Sequence, residues 1–120
     1  MATLTPTIKL ESIDVTTDTL SLSVTDSLTV VSPMESVSRV TLTTSPTNLV
    51  PTSSTDIVYF YAKNTDSTQV AVLETIDGTQ AFSDLSPGEA CFFPVKGTIG
   101  IRAKSASSTA VLEYGYWTKG

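Results

Sequence analysis

Apolar and polar residues alternate with a period of two through much of this chain, and no stretch carries the three-to-four spacing of an amphipathic helix. Ile8 and Leu10, then Ile13 and Val15, stand among polar neighbours. Leu20, Leu22 and Val24 alternate with Ser and Thr. Asp26-Ser27 interrupts the pattern, Leu28 and Val30 resume it, and Val40 and Leu42 repeat it. Successive side chains of a strand point to opposite faces of a sheet, so this alternation predicts strands with one face on a core and one face wet. The outward positions are mostly Thr and Ser, which together fill 37 of 120 positions. Thr is β-branched and keeps strand propensity without adding charge.

The second half is more apolar. Residues 57–62 (IVYFYA) are apolar at every position and predict a central strand covered on both faces. Lys63-Asn64-Thr65-Asp66-Ser67 closes it with turn chemistry, and residues 70–73 (VAVL) form a second apolar run. Asp77-Gly78 is a turn signal. Ser86-Pro87-Gly88-Glu89 predicts a type II turn, in which Pro presets one central angle and Gly supplies the positive one. Residues 90–93 predict a strand that Pro94 must end or place at a sheet edge. Lys96-Gly97 turns the chain into residues 99–103, residues 105–109 form a polar loop, and residues 111–117 make the last strand. Residues 43–56, with Pro46 and Pro51, read as one long loop.

The expected fold is all-β: a single-domain antiparallel β-sandwich over residues 1–120, jelly-roll-like or Ig-like, built from about eight short strands. Residues 1–30 are expected to serve as an N-terminal strand arm or hairpin used in assembly. Splitting the chain into two domains would leave each piece short of core.

Composition narrows the chemistry. The absence of histidine removes a Ser-His-Asp triad, a Cys-His pair and His-ligated metals. One cysteine excludes an internal disulfide. Seven basic residues against twelve acidic ones argue against nucleic acid as a partner. There is no apolar run of membrane-spanning length, so no membrane partner is expected. The N-terminal residues lack a basic and then apolar leader pattern, which predicts a cytoplasmic site of synthesis.

Individual candidates then fall mostly to structural explanations. Cys91 lies in an apolar run without a cation or imidazole to stabilise a thiolate, so it reads as a small buried hydrophobe. Asp14, Asp18 and Asp26 are spaced too widely for a calcium loop and read as turns and strand edges. No pair among the twelve acids is singled out for glycoside chemistry. Gly97, Gly100 and Gly115 precede no helix and cannot cradle a phosphate. Lys63, Lys96, Arg102 and Lys104 give the second half a more basic character, an asymmetry that suits the orientation of neighbouring copies and is equally what chance gives with seven basic residues. The aromatic residues are the remaining signal. Tyr59, Tyr61, Tyr114, Tyr116 and Trp117 are the candidate interface, with alternation placing Tyr114 and Tyr116 on one face and Trp117 with Val111 on the other. No catalytic residue, cofactor or metal site is expected.

Three stretches carry a resemblance. IVYFYAKNTDSTQVAVL (57–73), AFSDLSPGEACFFPVKG (81–97) and AVLEYGYWTKG (110–120) have a strand ending in Lys-Asn-Thr, a Leu-x-Pro-Gly-Glu turn, a Phe-Phe-Pro strand end and a closing Glu-Tyr strand. With SIDVTTDTLSLSVTDSLTV (12–30), this layout resembles small virion structural proteins of tailed bacteriophages. The resemblance implies a non-enzymatic virion component assembled in the bacterial host cytoplasm. Within that class it favours a capsid decoration (cement) protein that binds the major capsid protein on the outer shell and self-associates, as a trimer for instance. A tail, neck or fibre-associated protein, including a receptor- or carbohydrate-binding module, shares the same layout. A glycan-cleaving enzyme would need two facing carboxylates about 5–10 Å apart.

Overall fold

A computed structural model describes residues 2–14, 19–33, 37–53 and 57–120. Twelve strands run along the chain: β1 (Ala2–Leu4), β2 (Thr7–Ser12), β3 (Leu20–Thr25), β4 (Leu28–Pro33), β5 (Ser38–Leu42), β6 (Thr47–Val50), β7 (Ile57–Asn64), β8 (Ala71–Glu74), β9 (Ala81–Leu85), β10 (Ala90–Lys96), β11 (Ile101–Ser105) and β12 (Ala110–Lys119). No helix occurs among the described residues. All the pairings are antiparallel. The fold is therefore all-β with antiparallel sheets, an arrangement compatible with a β-sandwich.

The expected count of about eight strands is too low. The added elements are short or polar. β1 has three residues. β6 lies inside the stretch read as one loop, where Leu49 and Val50 are buried between two prolines. β9 (AFSDL) sits between two turn signals and has only one buried side chain. Each of these strands is paired with a neighbour, β1 with β4, β6 with β11 and β9 with β8, so tertiary pairing supplies what local pattern does not. Val15 and Asp18 lie outside the described residues.

Three sheets result. The largest has the order β1-β4-β12-β7-β10, with β5 also paired to β12. β12 is its organising strand. Its Ala110–Tyr114 half pairs with β5, its Trp117–Lys119 end pairs with β4, and its other edge pairs with β7 along most of its length. The second sheet has the order β6-β11-β8-β9, and the third is the β2-β3 hairpin alone. Pro94 stands inside β10 at the sheet edge, a location where a missing N–H is tolerated.

The core fills the space between the first two sheets. Val58, Phe60 and Ala62 of β7, Leu112 of β12 and Val95 of β10 meet Leu73 of β8 and Ile101 and Ala103 of β11. Phe60 is the largest of the fully buried side chains and packs edge-on against Phe93, with ring centroids 5.7 Å apart. Register explains the selection: Val58, Phe60 and Ala62 lie opposite Val95, Phe93 and Cys91, and also opposite Thr118, Tyr116 and Tyr114.

Three polar residues, Asn64, Glu74 and Ser105, are buried with their needs met, Ser105 by donating its hydroxyl to the Ser107 carbonyl at 2.7 Å. Asn64 donates both Nδ2 hydrogens, to the carbonyls of Gln69 (2.7 Å) and Leu85 (2.8 Å), and its Oδ1 accepts the Asp66 N–H (2.9 Å). Its backbone N–H and carbonyl bond the Ser86–Glu89 turn through Glu89 and Gly88. One side chain thus ties the end of β7 to the loop before β8 and to the end of β9. Glu74 is buried too, and it accepts the Arg102 Nε–H at 2.6 Å, with Lys104 Nζ at 3.8 Å. Gly88 has φ +86° and the Glu89 N–H bonds the Ser86 carbonyl, as the type II reading requires. Gly100 combines φ +66° with a close approach, since a Cβ there would lie 2.8 Å from the Val50 carbonyl oxygen.

The N-terminal strands correct the expectation that each alternating strand lays one face on the core. β1 and β2 run antiparallel to β4 and β3 in one unbroken register, from Ala2 opposite Val30 to Ser12 opposite Leu20. The Asp26 N–H bonds the Pro6 carbonyl at 3.2 Å and bridges the two halves. The result is one long two-stranded ribbon. Its proximal half, β1–β4, joins the largest sheet through β12, while its distal half, β2–β3, forms a sheet of its own. The radius of gyration is 15.5 Å, against roughly 13.6 Å for a compact chain of this length.

Candidate interaction surface

The largest sheet has a second face, turned away from the core. Along β7 it presents Tyr59, Tyr61 and Lys63. Opposite these stand Pro94, Phe92 and Ala90 of β10 on one side, and Trp117, Gly115 and Glu113 of β12 on the other. Tyr59 is buried there, and its ring stacks on Phe92 with centroids 6.2 Å apart and planes 18° from parallel. Trp117 leans over the glycine two positions before it. A Cβ on Gly115 would stand 3.0 Å from the indole, so glycine gives the ring its bed.

Tyr61 anchors the polar part of this face. Its hydroxyl donates to Glu113 Oε1 at 2.8 Å, while Arg39 Nε lies 3.6 Å from Glu113 Oε2. Burial, and then the adjacent Glu113 carboxylate that accepts the phenol hydrogen, pushes the Tyr61 pKa up to about 12. The phenol therefore remains a donor at neutral pH. Cys91 lies on the opposite, core-facing side of β10, where burial pushes its thiol up to about 11. At pH 7 it is a protonated, unreactive group that packs as a small hydrophobe.

The five aromatic residues predicted as an interface thus divide. Tyr59, Tyr61 and Trp117 share the outer face. Tyr114 and Tyr116 point the other way and pack half-buried against the core. The alternation along β12 predicted this division, but not that Tyr59 and Tyr61 of β7 would share the face of Trp117. Phe92 also belongs to the outer face and escaped the sequence reading, because an apolar run does not reveal which of two adjacent phenylalanines faces inward.

The ribbon supplies the other wall. All its even-numbered positions share one face, which reads Ala2, Leu4, Pro6, Ile8, Leu10, Ser12 on one strand and Val30, Leu28, Asp26, Val24, Leu22, Leu20 on the other. Its opposite face carries Thr7, Lys9, Glu11, Ser21, Ser23 and Thr25, with Lys9 and Glu11 paired at 3.3 Å. A cleft of about 240 Å³ separates ribbon and sheet, lined by Ile8, Val24, Leu28, Tyr59, Phe92 and Pro94. At the cleft and beyond it the apolar face of the ribbon is largely uncovered. Ile8 is 49 % exposed, Leu10 53 %, Leu22 54 % and Val24 61 %, whereas Val30 at the base is 1 % exposed. A second apolar hollow lies at the far end of the sheets, where Phe82 meets Phe93 edge-on at 5.9 Å beside the exposed Ile99.

Three acidic groups are committed to structural contacts. Asp77 accepts the Thr79 N–H and the hydroxyls of Thr75 and Thr79, which hold its pKa down at about 2. Asp66 is lowered likewise by the N–H groups of Gln69 and Thr68. Glu74 is committed to Arg102. Among the described residues no group of three or more Cys, Asp or Glu side chains could hold a metal ion. What the surface offers chemically is apolar contact area, aromatic faces and a few fixed hydrogen-bonding groups. Comparison with known proteins returned no matching family model, no similar curated protein and no similar solved structure.

Proposed function

We propose that this chain is a non-enzymatic virion structural protein of a tailed bacteriophage, a capsid decoration (cement) protein. In this reading it is assembled in the bacterial host cytoplasm, binds the major capsid protein on the outer shell and strengthens contacts between capsomers. Its body is a β-sandwich of jelly-roll-like or Ig-like kind, and it acts as a homo-oligomer, a trimer for instance. The observation that carries the reading is the ribbon, which lifts an apolar face off a finished core into water. A surface of that kind lowers its free energy by contact with another protein. The layout of residues 57–73, 81–97 and 110–120 supports the class of partner. Several weak contacts made by one self-associated particle would add through effective concentration.

The test is co-sedimentation of the purified chain with empty shells of the major capsid protein, followed by locating the chain in a density map of the particle. Binding to shells and density on the outer surface are the expected results. Density on the tail, neck or fibre would replace this reading with the tail-associated one, and failure to bind any virion component would remove both.

A further inference from the structure

We propose that the distal half of the ribbon is an exchange arm: its apolar face, built from Ile8, Leu10, Leu20, Leu22 and Val24, docks on the outer sheet face of a second copy of this chain. The inference deepens the self-association in the proposed function and rests on that part of it alone.

Continuity argues first. The same ribbon face, in the same register, is covered at its base by the chain's own body, where Val30 is buried and Leu4 and Leu28 are half-buried. Of the distal residues, Ile8 and Val24 border the cleft opposite Tyr59, Phe92 and Pro94 yet stay largely exposed, and Leu10 and Leu22 lie beyond it. β2 and β3 pack on each other, and neither packs extensively on any other element. An isolated two-stranded hairpin is marginal in water and needs a cover to persist. The chain offers the matching surface once per copy, in the half-buried Tyr61, Phe92 and Trp117 beside the cleft.

Area then selects the occupant. The uncovered apolar face of the arm amounts to roughly 400–500 Å², comparable with the largest apolar patch of an ordinary monomer. Docked one way on a foreign protein, it would bury roughly 900 Å² in total, below the range of stable interfaces. A second copy returns an arm of its own. Reciprocal exchange doubles the area to roughly 1,800 Å², within that range. The doubling requires both arms to cross one interface, so the assembly closes as a two-fold dimer. Charge does not point elsewhere. The apolar face carries no ionised side chain beyond Asp26 at the hinge, and the polar face neutralises itself through Lys9 and Glu11.

The experiment compares the wild-type chain with Leu10→Asp/Leu22→Asp, measuring mass by sedimentation equilibrium, fold by circular dichroism, and the environment of Trp117, the single tryptophan, by fluorescence. The wild type is expected at a multiple of 12.7 kDa, with Trp117 emission shifting to the red on dilution. The double variant is expected at 12.7 kDa with the same β spectrum, its self-association weakened by at least about 100-fold. If the double variant loses its β spectrum, Leu22→Ser is read instead. On the receiving face, Phe92→Ser is expected to weaken association as well, and a mixture with the arm variant, which has one intact arm and one intact face, should associate more tightly than either variant alone and more weakly than the wild type. A wild type that stays at 12.7 kDa at its highest soluble concentration overturns the proposal. So does an arm variant that keeps the wild-type mass. Because no capsid is present, failure to bind shells leaves this result untouched, and loss of self-association leaves shell binding to be judged alone.

Discussion

Val30 and Val24 stand on the same face of the same ribbon, in one continuous register, and meet opposite fates. Val30, at the base, is buried; Val24, beyond Asp26-Ser27, is exposed. Both satisfy the same alternation. The difference teaches that period two identifies which side chains share a face, whereas what covers that face depends on where the ribbon leaves the body. Here the departure follows Pro6 and Asp26, where the strands pass from a shared sheet to one of their own.

The contrast between covered and uncovered apolar residues is open to direct attack. The largest effect is expected in the body. Phe60→Ala empties a fully buried aromatic site and should lower unfolding stability by about 3–5 kcal/mol in urea titrations. A loss below 1 kcal/mol would mean that the two main sheets do not share the core described.

Next comes the polar counterpart of burial. Asn64→Ala would leave the Gln69 and Leu85 carbonyls and the Asp66 N–H without their partner. A cost of about 2–4 kcal/mol is expected, with faster amide exchange in residues 64–70 and 85–89. Exchange that accelerated in β2 and β3 instead would contradict the separation between body and arm.

The ribbon valines sharpen the comparison most directly. Val30→Ala should cost about 1.5–3 kcal/mol. Val24→Ala should stay within about 0.5 kcal/mol when measured dilute enough for a single chain. Equal losses would show that the arm folds against its own body.

The pH response should be confined to the body. Cys91 and Tyr61 are raised in the folded chain from ordinary values of 9.0 and 10.0 to about 11 and 12. Their contribution is therefore complete below about pH 9 and lost as pH rises through 11 to 12. Urea midpoints should fall over that window, and Cys91→Ala should remove the lower part of the response. Asp77 works in the other direction. Its pKa is lowered to about 2, so its contribution is present above about pH 4 and fades as pH falls towards 2. Asp77→Asn should flatten a shallow acid limb, the smallest effect of the set.

Much of the fold is legible in the residues. β7 declares itself by being apolar on both faces, and the structure places it between β12 and β10 with Tyr59 buried on one face and Phe60 on the other. Pro94 allowed an edge strand, and β10 is one. Ser86-Pro87-Gly88-Glu89 dictated a turn through local angles alone. β6 and β9 were not legible, because four or five residues carry too little period to register and acquire strand character from β11 and β8. Asn64 was visible only as turn chemistry; its role in joining three segments needs Gln69, Leu85 and Glu89 to arrive from elsewhere in the chain.

The candidate surface divides in the same way. Tyr59, Tyr61 and Trp117 were picked out by type, and Tyr114 and Tyr116 were picked out with them. Their separation onto two faces follows from the pairing of Trp117 with Tyr59 and of Tyr116 with Phe60, a register between strands more than fifty residues apart. Alternation, turn angles and the lack of histidine are local or compositional facts, and residues alone determine them. Which apolar face is buried, which strand closes an edge and which ribbon is left uncovered are settled by contacts between distant segments. Burial belongs to pairs of surfaces, and a sequence names only one member of each pair at a time.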